Sequence, residues 1–215
     1  MAKLTPIPFP DLVRRMRREV ELSGSIFDLP VRKWFIPHKE FDFSASHFAR
    51  RASTPVGPAA GPHTQMAQNI ALSWLAGGRI VELKTVQIND HLEIPRPCIH
   101  IPNVGYNVEW SQELQVPDSL MEYAKAVYLI EILKATRGFG VFADASGFER
   151  GVDTVYDISV GYDLAGIQSD KVTAFIRSLQ NPGPYFDQLR SQLTGDLKQF
   201  RNLELPRSIS DCVTL

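Results

Sequence analysis

A lysine and a run of small residues carry the chemical signal of this chain. Residues 79–87 read as a strand. Strand side chains alternate faces, so Ile80, Glu82 and Lys84 share one side, and Val81, Leu83 and Thr85 the other. The Val/Leu side suits a cover of helices. The Glu/Lys side then looks the opposite way, with Lys84 nearest the C-terminal end, where α/β folds place their chemistry. A lysine buried there needs a counter-charge or an anion, and Glu82 offers the first from one layer below. The rival reading is an exposed strand with both groups in water. Upstream, Ala59, Ala60 and Gly61 form a loop flanked by Pro58 and Pro62. Small residues leave backbone N–H groups open to close approach. A small-residue ledge beside an ammonium suits a phosphorylated, planar cofactor; the alternative is a rigid turn.

Other groups could share that rim. His63, at the tip of the loop, is a proton donor or a structural hydrogen-bonder. Asn107 and Glu109 end a long loop, and an Asn amide holds a planar heterocycle through a paired donor and acceptor. Ser159 and Tyr162 end a third strand. Cys98 and Cys212 stand far apart in no C-x-x-C spacing. They read as small buried hydrophobes, exclude a self-contained iron–sulfur or zinc site, and fit a reducing compartment.

The elements that must position these groups begin with an N-terminal extension, residues 1–50. Helical spacing over 10–22 turns Leu12, Met16 and Val20 inward and Arg14, Arg15, Arg17 and Arg18 outward as a solvated face, with Gly24 as a stop. Residues 25–48, rich in aromatics without a period, read as an irregular apron. Residues 51–215 alternate strand and helix. Strands are expected at 55–57, 79–87, 155–161 and 207–215, and helices at 65–75, 117–136, 169–179 and 185–200. Gly77 and Gly78 end the first of these helices, and Pro117, Asp118 and Ser119 open the next as a cap. Alternating βα units predict a parallel sheet covered on both faces. About four strands, against the eight of a βα-barrel, predict half a barrel. Such a half is either a fragment or is completed by a second polypeptide.

Composition excludes other classes. With 215 residues, 44% hydrophobic, 22% charged and a net charge of −1, the chain has an ordinary globular makeup. Nothing points to nucleic acid or an anionic membrane, and no apolar run approaches the ~20 residues of a membrane span. The basic N-terminal helix lacks the apolar core of a signal peptide. A cytoplasmic location is the expectation.

The stretch TPVGPAAGPHTQMAQNIALSWLAGGRIVELKTVQIND resembles the first βαβ unit of the bacterial selenate reductase subunit family. These are large flavin and iron–sulfur oxidoreductases related to dihydropyrimidine dehydrogenase and the glutamate synthase small subunit. The likeness extends to PIPFPDLVRRM, YNVEWSQEL and ISVGYDLAGI. It implies the first half of an FMN-binding, dihydroorotate dehydrogenase-like (β/α)8 barrel. By position, Ala60 and Gly61 would pack against FMN, Lys84 and Thr85 would contact flavin or substrate, and Asn107 would orient the ring. Lys84 and Asn107 would then be catalytic, with Ser159 on the cofactor rim. The complete enzyme would pass electrons from NAD(P)H through FAD and 4Fe–4S centres to FMN and a small-molecule substrate. Those centres, and the remaining half of the barrel, would lie in further regions or a partner subunit. Family members continue past the Val-Thr-Leu strand into a cysteine-containing loop, the phosphate site and the reductase region. This chain alone is therefore expected to be inactive. Two other readings stand beside this one: a barrel enzyme using Lys84 as a Schiff base, and a non-catalytic assembly piece.

Overall fold

The computed structural model describes residues 5–87, 114–161, 163–210 and 212–214. In chain order its strands are β1 (Ser25–Ile26), β2 (Leu29–Pro30), β3 (Ala45–His47), β4 (Arg50–Ala52), β5 (Ile80–Gln87), β6 (Val155–Gly161) and β7 (Cys212–Thr214). Its α-helices are α1 (Phe9–Ser23), α2 (Ala67–Leu75), α3 (Val116–Ala135), α4 (Leu164–Ile167), α5 (Asp170–Gln180) and α6 (Gly183–Gln192). No helix among the described residues is long and apolar enough to cross a membrane.

β5, β6 and β7 form a parallel sheet in that order. The strand expected at 55–57 is extended chain alongside β5. Arg79 and Ile80 donate their N–H groups to the Val56 carbonyl, and Glu82 donates to that of Pro58. Prolines at 55 and 58 have no N–H to return, so the ladder is one-sided and no regular strand forms. Gly57 is required here, because a Cβ on it would fall 1.5 Å from the Ile80 carbonyl oxygen. The parallel order of segment 55–58, β5, β6 and β7 follows the chain, as half a βα-barrel would. No closed barrel forms among the described residues.

One face of the sheet packs on the helices. Val81, Leu83, Val86, Tyr156, Ile158 and Val160 join the main core with Phe9, Leu12 and Met16 of α1, Trp74 of α2, and α3, α5 and α6. α3 is buried on nearly every side because α2, α5 and α6 all pack against it. The opposite face begins with a small apolar cluster of Ile80, Val155, Cys212 and Ala52, the last supplied by the β3–β4 hairpin.

Several local expectations change. Residues 25–48 are not wholly irregular, since β1 and β2 form a hairpin and β3 opens a second that continues to Ala52. α3 starts at Val116 with no side-chain cap; Pro117 lies in its first turn, Asp118 meets the helix dipole there, and Ser119 is buried inside it. The helix expected over 185–200 splits into α6 and a 3₁₀ stretch, Gly195–Asn202, opened by Gly195 at φ 59°. A left-handed residue cannot continue an α-helix. Ser169 caps α5 through its hydroxyl, as its position before the helix demands. Arg14, Arg15 and Arg17 form surface ion pairs with Asp11, Glu19, Asp28 and Asp196.

Candidate functional site

β5 does not keep a strict two-residue period. Its register with β6 slips between Leu83 and Val86, a bulge that places Lys84 and Thr85 opposite the single residue Ser159. Leu83 and Val86 are both buried against the helices, so the two bulge residues belong to the other face with Glu82. Thr85 therefore does not share the Val81/Leu83 side. Its Cγ2 lies 3.8 Å from where a Cβ on Gly161 would stand. The slip has an anchor on the helix side, where the Tyr123 hydroxyl of α3 donates to the Lys84 carbonyl at 2.8 Å.

Lys84 is 8% exposed. Burial pushes its pKa down, and the Glu82 carboxylate opposes that shift. Among the described residues its ammonium has no hydrogen-bond or ion-pair partner, and its low exposure departs from a strand face standing fully in water. A mostly buried lysine without a partner among the described residues is suited to meet an anion.

The ledge is arranged differently from the expectation. The Ala60 N–H donates to Glu82 Oε2 at 3.0 Å, and the Gly61 N–H to Thr64 Oγ1 at 3.1 Å. Neither is open. The missing Cβ of Gly61 makes room for the His63 ring, since an added Cβ would lie 2.8 Å from its Cε1. What the loop presents outward is the exposed Ala59, part of Ala60 and the exposed imidazole of His63.

Below this rim lies a charged layer. Glu82 pairs in register with Asp157, and Asp157 with Cys212. Asp157 Oδ2 meets His47 Nε2 of β3 at 3.3 Å, while its Oδ1 is buried without a partner. Cys212 is buried, with burial raising its thiol pKa, in keeping with a small packed side chain rather than a nucleophile. Ser159, half-buried, stands in register with Thr214 at the rim. Asn107, Glu109, Tyr162 and Cys98 lie outside the described residues. No group of three or more His, Cys, Asp or Glu side chains among the described residues could hold a metal ion.

Sequence reasoning missed Arg79. It is 1% exposed, donates to the carbonyls of Gly151, Trp74 and Gly78, and stacks 4.2 Å over the Trp74 ring. Burial lowers its pKa to about 10, which leaves it charged at neutral pH. The one available signal was an arginine opening an apolar strand directly after Gly77 and Gly78. The Glu82–Ala60 bond and the His47–Asp157 contact left no sequence signal, because each joins residues from separate elements.

A family model described as "Oxidoreductase YgfK, N-terminal TIM-barrel domain" matches residues 27–214. Two relatives, from Escherichia coli K12 and Escherichia coli O157:H7, each bear the name "Putative oxidoreductase YgfK". Each is 40% identical over 192 residues, covering 88% of this chain and 18% of the relative. The chain thus spans under a fifth of those proteins. No solved structure gives a significant match. The parallel βα order of the fold agrees with the barrel in the family's description, and the chain belongs to the family of N-terminal TIM-barrel domains of YgfK oxidoreductases.

Proposed function

We propose that this chain forms the first half of an FMN-binding barrel in a flavin-dependent oxidoreductase of the selenate reductase subunit and dihydropyrimidine dehydrogenase kind. The observation that carries the reading is Lys84, a mostly buried lysine whose ammonium has no protein partner among the described residues, on the strand beside a loop of small residues. These groups fit a flavin: the loop offers small residues, and the cation matches the negative charge of a reduced ring. Bound FMN would supply the hydride and electron chemistry. Lys84 holds positive charge where negative charge develops, as preorganised charge does in redox and acyl-transfer sites. Thr85 and Ser159 offer polar contacts at the same rim, and Ala60 and Gly61 set the loop's height. Asn107 is proposed to orient the ring from the following loop. By the resemblance, electrons would arrive from NAD(P)H through FAD and 4Fe–4S centres in further regions or a partner subunit.

The test is the visible spectrum of the purified whole protein that contains this chain. A flavin absorbance band, released as FMN on denaturation, is the expected result. A colourless protein that gains no band when FMN is added would overturn the reading.

One observation favours a second reading. Desolvation lowers the Lys84 pKa, as a Schiff-base lysine also requires. Borohydride reduction in the presence of carbonyl compounds would leave a covalent adduct on Lys84 under that mechanism and none under the first.

A further inference from the structure

We propose that Glu82 is the positioning residue of this rim, bracing the 59–61 loop against β5 while standing beneath Lys84 as its counter-charge. The inference rests on the flavin reading of Lys84 given above. The brace is double. The Glu82 N–H donates to the Pro58 carbonyl at 3.1 Å, and its carboxylate accepts the Ala60 N–H at 3.0 Å. Main chain and side chain of one residue therefore hold both ends of a three-residue turn whose prolines leave it few other bonds. Among the described residues the 59–61 loop's other tie is local, between Gly61 and Thr64.

The same carboxylate is the charged group placed to serve Lys84. Glu82 and Lys84 share the face opposite the helices, one layer apart. Asp157, beside Glu82 on β6, has one oxygen on His47 of β3. From α3, Tyr123 reaches the Lys84 carbonyl rather than its ammonium, and Glu122 is engaged by Lys125 and the Ala67 N–H. Burial drives Lys84 toward its neutral form, and Glu82 opposes that. One side chain thus links two properties a ligand would feel: the height of the ledge and the charge beside it.

The two roles separate by substitution. Glu82→Gln keeps an oxygen for the Ala60 N–H but removes the charge; Glu82→Ala removes both. The measurement is affinity for reduced FMN by anaerobic absorbance titration across neutral to alkaline pH, on the whole protein stripped of flavin. Wild-type affinity falls as Lys84 loses its proton. Losing the Glu82 charge lowers the Lys84 pKa further, so Glu82→Gln shifts that fall to lower pH. Its affinity at neutral pH stays within about threefold of wild type, while Glu82→Ala loses roughly tenfold throughout, the cost of one charge-assisted hydrogen bond. An alkaline limb unmoved in Glu82→Gln, or tighter binding in Glu82→Ala, overturns the proposal. The second result would mean that Glu82 merely occupies an N–H the ligand needs. Lys84→Met is the arm that separates the two claims. If it flattens the pH profile while Glu82→Gln leaves it unmoved, the counter-charge role of Glu82 fails and the site stands. If Lys84→Met changes nothing, the site reading itself fails.

Discussion

β5 carries two surfaces of opposite character, and comparing them shows how the molecule divides its work. On the helix side, Val81, Leu83 and Val86 are at most 1% exposed and belong to the continuous core. On the other side, Ile80 joins a small apolar cluster, and above it come Glu82, Lys84 and Thr85. The first surface is complete: every group has its neighbours. The second holds a loop tied down by a carboxylate, a mostly buried lysine and an orphaned Asp157 oxygen. Stability is concentrated on one face, and unmet electrostatic demand on the other. The bulge between Leu83 and Val86 makes the division possible, because it lets both apolar residues face the helices while two consecutive polar residues face away.

Substitutions that respect or violate this division should differ sharply in kind. The largest loss of stability is expected from Leu83→Ala, about 3–4 kcal/mol, from lost burial and a cavity the packed helices cannot close. A drop in denaturant midpoint worth less than 1 kcal/mol at unchanged slope would show that the helix face is loosely packed. Arg79→Leu comes next, at about 2 kcal/mol. Three carbonyls lose their donor, partly offset because a buried charge is no longer desolvated. If thermal unfolding shows no loss, those bonds exchange for others in the folded state. His47→Ala should be smallest, below about 1 kcal/mol, since its contact with Asp157 is long and partly exposed. A larger loss in a denaturation curve would make the β3–β4 hairpin a structural clamp and blur the contrast between the faces.

Where the sequence was legible, one element alone decided the outcome. α1 forms at Phe9–Ser23 from the spacing of Leu12 and Met16, and Gly24 closes it at φ 59°. β5 and β6 keep the bounds that their apolar alternation predicts, to within a residue. The side of Glu82 and Lys84 also follows from alternation. What escaped depends on pairs of elements. The strand expected at 55–57 has the right place and direction but too few N–H groups for a ladder, because its prolines remove them. Thr85 changed sides because a bulge is set by the register of two strands. The small residues of the ledge read as open backbone, yet Ala60 bonds to a strand 22 residues away and Gly61 makes room for His63. The short hairpins after α1 turn through left-handed Phe27, Asp28, Phe48 and Ala49. Such residue types give no turn signal of the Asn-Gly kind.

The account stands or falls on Lys84. Lys84→Met keeps most of the aliphatic stem and removes the charge, so the fold should persist, with unfolding stability within about 1 kcal/mol of wild type. In the whole protein carrying this chain, affinity for reduced FMN is then predicted to fall by about ten- to a hundredfold, the worth of one charge-assisted contact. Unchanged affinity for reduced FMN in a well-folded Lys84→Met protein would contradict that role.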